Sequence, residues 1–213
     1  MRKTRTLETR TFVLAVAAAG LGALGILAAV YGLGGGGNRA CPLAAAAAAR
    51  MAPLARGEVA AVAVAKAAEP APALAFQGPD GAPRALADFR GRTVLVNLWA
   101  TWCAPCKVEM PALDRLQAAL GDAAFEVVAI NLDTRNLDRP RVWLAENGIG
   151  RLAYYADPAG RVLPAIARDD VPTGLPTTLI VAPDGCEAAI LRGPADWAGA
   201  DALALLRAAL ARG

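Results

Sequence analysis

Residues 93–107, TVLVNLWATWCAPCK, constrain the fold more than any other stretch of the chain. TVLVNLWA (93–100) is a continuous run of apolar and β-branched residues, the pattern of a buried strand, and Pro105 to Leu120 repeats apolar residues at helical spacing. Cys103 and Cys106 stand at the junction, with Ala104 and Pro105 between them. The first thiol therefore lies at a helix N-terminus, where unpaired backbone N–H groups favour a thiolate and lower its pKa. The second follows one turn later on the same face, within bonding reach of the first. Pro105 is tolerated in the first turn, because the N–H it lacks would have had no helical partner. A disulfide over so short a loop adds little loop-closure entropy, which makes it a poor staple and a good switch.

Composition removes the main competing chemistries. The chain contains no histidine, which excludes Ser-His and Cys-His catalysis and every His-ligated metal site. A metal held by Cys103 and Cys106 would need Cys41 and Cys186 as further ligands, and neither belongs to a CxxC of its own. A redox pair is the better reading, and neither a metal nor a cofactor is expected. Cys41 and Cys186 then pair by elimination, closing a loop of about 145 residues; on the chain-entropy model such a bridge contributes on the order of 5 kcal/mol. The alternative is a second redox pair, although neither cysteine stands at a helix start beside a tryptophan.

Charge and hydropathy divide the chain of 213 residues. Residues 1–10 carry Arg2, Lys3, Arg5 and Arg10 against Glu8, which accounts for the whole net charge of +3. The rest is neutral, so no basic face for nucleic acid is expected. Residues 11–33 are uncharged and apolar and would measure roughly 34 Å as a helix, enough to span a bilayer. The positive flank places the N-terminus in the cytoplasm and the bulk of the chain outside, which for a bacterial inner membrane means the periplasm. All four cysteines follow the span, in a compartment where disulfides persist. Cleavage near Ala28 is the alternative to a permanent anchor. Residues 34–40, GGGGNRA, read as a flexible spacer with a mean reach of about 15 Å. Residues 41–72 read as a helical extension: an alanine-rich helix interrupted by Pro53, then a second helix over Glu58 to Ala67, ended by Pro70 and Pro72.

Residues 73–213 read as the main domain, of α/β class. FEVVAINL (125–132) is a second buried strand and Arg139 to Asn147 a short helix, so the alternation implies a parallel βαβ core. PTTLIVA (176–182) and CEAAILRG (186–193), joined through Pro183-Asp184-Gly185, form an antiparallel hairpin, and an amphipathic helix over Gly199 to Arg212 closes the chain. The expected sheet is mixed and flanked by helices.

NLWATWCAPCKVEMPAL, the later GLPTTLIV and this strand-helix order resemble the TlpA/ResA group of membrane-anchored thioredoxin-like proteins, over about residues 40–211. The ACP around Cys41, APLARGEVAA (52–61), NLDTR (131–135), DGCE (184–187) and GPADW (193–197) are most similar to the TlpA branch. The resemblance implies a thioredoxin-like fold in which Pro176 is cis and faces the Cys103–Cys106 disulfide, while Leu175 offers backbone groups to an extended substrate. It implies that Trp102 borders the site and Trp99 packs in the core. Asn97 stands where thioredoxin has a buried aspartate, which leaves proton transfer unassigned; Glu109 matches the acid of the ResA-type branch and is the candidate proton carrier. The expected activity is reduction of protein disulfides by a monomer resupplied with electrons by a DsbD/CcdA-type membrane reductase. The expected substrates are a Sco-type copper chaperone and the CuA subunit of cytochrome oxidase. Apocytochrome c is the alternative substrate, but that branch carries a glutamate after the cis-proline, where this chain has Thr177-Thr178. From another class, a copper-binding chaperone has only Met51 and Met110 in the domain to supplement the thiols.

Overall fold

The computed structural model describes residues 41–167 and 173–211. The tail, anchor and spacer expected over 1–40 lie outside these residues; among the described residues no helix is long and apolar enough to cross a membrane.

The strand expected over 93–100 forms as β4 (Thr93–Trp99), with every residue buried. It pairs in parallel with β5 (Phe125–Asn131) from Thr93↔Phe125 to Trp99↔Asn131, and antiparallel with β7 (Thr177–Val181). Helix α2 (Ala104–Leu120) makes the crossover between the two parallel strands. β7 turns back into β8 (Cys186–Arg192) through Gly185, whose φ of +78° suits a residue without Cβ. With β1 (Ala63–Pro70), β2 (Ala75–Gln77), β3 (Pro83–Ala85) and β6 (Tyr155–Ala156), these make an eight-stranded mixed sheet of order β1-β8-β7-β4-β5-β6-β2-β3.

Alternation along β4 builds two cores. Leu95 and Trp99 face α2, where they meet Met110, Leu113 and Leu116. Val94, Val96 and Leu98 face the other side, with Val128, Ile130, Leu179 and the mutually packed Phe76, Phe89 and Tyr155. This is the period of two that a sheet covered on both faces demands. The remaining helices are α1 (Pro42–Met51), α3 (Arg139–Glu146), α4 (Val162–Ile166) and α5 (Ala200–Leu210).

The segment 41–72 departs from expectation in its second half. Its first helix is α1, which buries Ala44, Ala47, Ala48 and Met51 at helical spacing. Asp184 Oδ2 accepts the N–H groups of Leu43 and Ala44 at 2.8 and 3.1 Å, capping α1 from a distant turn. The second helix, expected over Glu58 to Ala67, does not form. Gly57–Val59 makes a single 3-10 turn and Ala63–Pro70 becomes β1, paired antiparallel with β8 from Ala63↔Ile190 to Pro70↔Cys186. Alanine's helix propensity is a few tenths of a kcal/mol per residue; pairing with the edge of β8 satisfies a row of backbone groups and outweighs it. The sheet thus begins upstream of residue 73. The Cys41–Cys186 disulfide, with Cα atoms 5.7 Å apart, fastens the start of α1 to β8.

Candidate active site

The site grows from the C-terminal end of β4. Trp99 O accepts the Leu132 N–H at 2.8 Å, and Cys103 N–H donates to Ala100 O at 3.1 Å, closing the turn into α2. Asp133 locks this turn: its carboxylate accepts the Thr101 N–H at 2.8 Å, the Thr101 hydroxyl at 2.7 Å and the Asn131 side-chain amide at 2.8 Å. Asp133 lies within the NLDTR stretch, but nothing local in the sequence marked it as the anchor of the turn into α2. Trp102, carried by the same turn, is 68% exposed, and with Arg135 and Arg139 it lines a cavity of about 230 Å³. Trp99 is buried, as expected, and packs on Trp143.

Cys103 is the N-cap of α2, and its sulfur accepts the Cys106 N–H at 3.3 Å. The two cysteines form a disulfide with Cα atoms 5.3 Å apart. Cys106 is wholly buried whereas Cys103 retains 5% exposure, so an incoming nucleophile or disulfide meets Cys103 first. The Leu175–Pro176 peptide bond is cis. Because Thr177 pairs with Leu98 and Thr178 with Asn97, this bond lies at the same end of the sheet as the Cys103 turn. Pro176 is buried and its carbonyl accepts the Gly193 N–H at 2.9 Å, while Leu175 is half-buried.

Glu109 follows Cys106 by one helical turn and is 3% exposed. Its Oε1 accepts the indole N–H of Trp197 at 2.5 Å and the Ala195 N–H at 3.3 Å; its Oε2 accepts the Asn97 amide at 3.2 Å. Burial raises its pKa from 4.5 to about 7, against the opposing pull of these three donors. It opens toward a surface cavity of about 450 Å³ lined by Val108, Ala112, Arg115, Pro194, Ala195 and Asp196. The structure therefore gathers Cys103, Cys106, Glu109, Trp102, Leu175 and Pro176 at one end of the sheet, and adds Asn97, Thr178 and Trp197. Trp197 was visible only as the last residue of GPADW, with no role attached. Among the described residues no group of His, Cys, Asp and Glu is arranged to hold a metal.

The AhpC/TSA family model matches residues 67–186, more than half of the chain. The chain belongs to the AhpC/TSA family. ResA from Bacillus subtilis, a thiol-disulfide oxidoreductase, is 28% identical over 123 residues, 58% of this chain and 65% of that protein. The thiol:disulfide interchange protein CycY from Rhizobium leguminosarum bv. viciae is 34% identical over 123 residues, 53% of this chain and 62% of that protein. The chain thus spans less than two thirds of the length of these curated relatives. A thioredoxin-family thiol:disulfide interchange protein from Chlorobium tepidum superposes with a TM-score of 0.56 at 26% identity, covering 70% of this chain and 100% of that one. A secreted thiol-disulfide isomerase from Corynebacterium glutamicum, at 22% identity and a TM-score of 0.54, shares the fold. The fold is thioredoxin-like, and the relatives include a thiol-disulfide oxidoreductase and two thiol:disulfide interchange proteins, consistent with the TlpA/ResA group that the motifs resemble.

Proposed function

We propose that this AhpC/TSA-family chain is a thiol-disulfide reductase of protein substrates. One observation carries the reading: a disulfide at a strand-to-helix junction, with its first sulfur reachable, its second buried and a near-neutral carboxyl one turn behind. In the reduced protein the Cys103 thiolate attacks a substrate disulfide, forming a Cys103–substrate bond and releasing one substrate thiolate, which takes a proton from solvent. Glu109 accepts the Cys106 proton, and the Cys106 thiolate attacks Cys103 Sγ and expels the second substrate thiolate, to which that proton is returned. Two electrons pass to the substrate, which leaves as a dithiol, and Cys103–Cys106 is left oxidised. Trp102, Leu175 and Pro176 border the reacting sulfur and hold the substrate segment.

In this reading Cys41–Cys186 is structural, and residues 11–33 anchor the domain on the periplasmic side of a bacterial inner membrane, where a DsbD/CcdA-type reductase resupplies electrons. The substrates are the cysteines of copper-site assembly, in a Sco-type chaperone and the CuA subunit, since copper binds only reduced thiols. The residue after Pro176 supports this choice over apocytochrome c: it is Thr177, whose hydroxyl donates to Gly174 O at 2.7 Å, and not a glutamate. The test is the reduction potential of Cys103–Cys106 in glutathione buffers, with alkylated cysteines mapped by mass spectrometry. A value of about −200 to −270 mV fits a reductant; about −120 mV, that of a strong oxidant, would overturn the reading. Reduction of oxidised CuA subunit at a higher kcat/KM than oxidised apocytochrome c is expected, and the reverse order would remove the copper assignment.

A further inference from the structure

Proton transfer through Glu109, on which this inference rests, requires the proton to sit on one definite oxygen, and the two oxygens are not equivalent. Oε1 receives two N–H donors, Trp197 Nε1 and Ala195 N. Neither can accept a proton, because indole and backbone N–H groups are donors only. Oε2 receives one donor, Asn97 Nδ2, and that amide also donates to Thr178 Oγ1 at 2.9 Å. Asn97 is wholly buried, yet its Oδ1 has no hydrogen-bond partner among the described residues. An amide's oxygen and nitrogen occupy nearly interchangeable positions. A half-turn of the Asn97 amide therefore offers Oδ1 to a proton on Glu109 Oε2 and to the Thr178 hydroxyl, which can donate as readily as accept.

We propose that Trp197 and Asn97 are positioning residues that divide the oxygens of Glu109: the indole N–H keeps Oε1 an acceptor, the proton is carried on Oε2, and the Asn97 amide turns over to receive it. One amide orientation suits the carboxylate and the other the acid. Among the described residues two charged groups share the cavity with the carboxyl. Arg115 of α2 and Asp196 of the segment after β8 line the same cavity as an exposed ion pair 3.7 Å apart. Asn97 and Thr178, from β4 and β7, are neutral, and the oxidised Cys103–Cys106 pair does not titrate.

The test uses the full oxidised chain, with tryptophan and asparagine labelled with ¹⁵N and glutamate carboxyls with ¹³C, titrated by NMR from pH 5 to 9. Trp197's signal, one of four indoles, is identified by its loss in Trp197→Phe. The expected result is that the Trp197 indole and the Asn97 side-chain amide both shift with the midpoint of the Glu109 carboxyl carbon, and that neither titrates in Glu109→Gln. Trp197→Phe should raise the Glu109 midpoint by about one to two pH units, the size of one hydrogen bond to a charged acceptor. Flat Trp197 and Asn97 signals across that midpoint would overturn the proposal, as would a Trp197→Phe midpoint equal to wild type. If Trp197→Phe does not fold, the wild-type titration decides, with Trp197 assigned through its contacts to Ala195. Failure of the parent reading looks different: Glu109→Gln would leave the pH profile of substrate reduction unchanged. A profile flattened by Glu109→Gln together with unmoved Trp197 and Asn97 signals would keep Glu109 as carrier and defeat the division of its oxygens.

Discussion

Glu109→Gln should make the fold more stable at alkaline pH, and the size of the gain follows from the carboxyl's surroundings. Burial lifts its pKa from 4.5 in the unfolded chain to about 7 in the folded one. Below pH 4.5 both states hold the proton and the group contributes nothing to pH dependence. Between 4.5 and 7 the unfolded chain loses its proton while the folded one keeps it, so stability falls as pH rises. Each unit corresponds to about 1.4 kcal/mol, so the whole window costs roughly 3 kcal/mol, after which the curve flattens. Glutamine retains an acceptor for Trp197 and Ala195 and cannot ionise. Urea unfolding of the oxidised wild type and Glu109→Gln, followed by tryptophan fluorescence in half-unit steps from pH 4 to 9, isolates the effect, because every other titrating group is common to both. The difference between the curves should be small at pH 4, widen through pH 5 to 7 and level at roughly 3 kcal/mol in favour of the variant. Parallel curves would refute the reasoning. So would a difference of opposite sign, which would mean that the three donors outweigh burial and that Glu109 is a permanent carboxylate unable to take a proton near neutrality.

Cys106→Ser should trap a mixed disulfide through Cys103, seen as a covalent adduct on non-reducing gels and mapped by mass spectrometry, whereas Cys103→Ser should give none; a stable adduct on Cys106 would reverse the order of attack. Replacing both Cys41 and Cys186 with serine should lower stability by on the order of 5 kcal/mol on the chain-entropy model, read in urea, while the potential of Cys103–Cys106 stays unchanged; a moved potential would make the second bridge part of the redox machinery. Asp133→Ala strips partners from the Thr101 N–H, the Thr101 hydroxyl and the Asn131 amide. It should cost about 2 kcal/mol or more and slow substrate reduction by loosening the turn that carries Trp102 and Cys103.

What was legible in the sequence was what short-range physics decides. β4 and α2 announce themselves because a fully buried strand and an amphipathic helix have distinct periods, and the junction between them is marked by the cysteines. The hairpin of β7 and β8 is marked by Pro183-Asp184-Gly185. β1 was not legible: its AVAKAAEP looks helical by propensity and alternates weakly, and only the open edge of β8, more than a hundred residues downstream, makes it a strand. β6 is two residues long, with one face set by Phe76 and Phe89 and its phenol bonded to Glu126; no local pattern specifies so short an element.

The site divides in the same way. Cys103 and Cys106 interact across three residues, so spacing alone brings them together. The side-chain partners of Glu109 are Asn97, 12 residues away, and Trp197, 88 residues away, and the pKa of the carboxyl depends on burial first and then on these two and the Ala195 N–H. Read as a sequence, Asn97 was a loss: an amide where thioredoxin has its buried acid, with the proton left unassigned. In three dimensions Asn97 and Glu109 are joined by a hydrogen bond, so the buried acid of this chain stands on helix α2, facing the amide on strand β4. An aspartate at 97 as well as Glu109 would put two carboxylates 3.2 Å apart in one buried pocket, where like charges oppose ionisation of the second. With the acid on α2, the amide on β4 is the neutral partner such a pocket requires, able to donate to the carboxylate and, turned over, to accept from the acid.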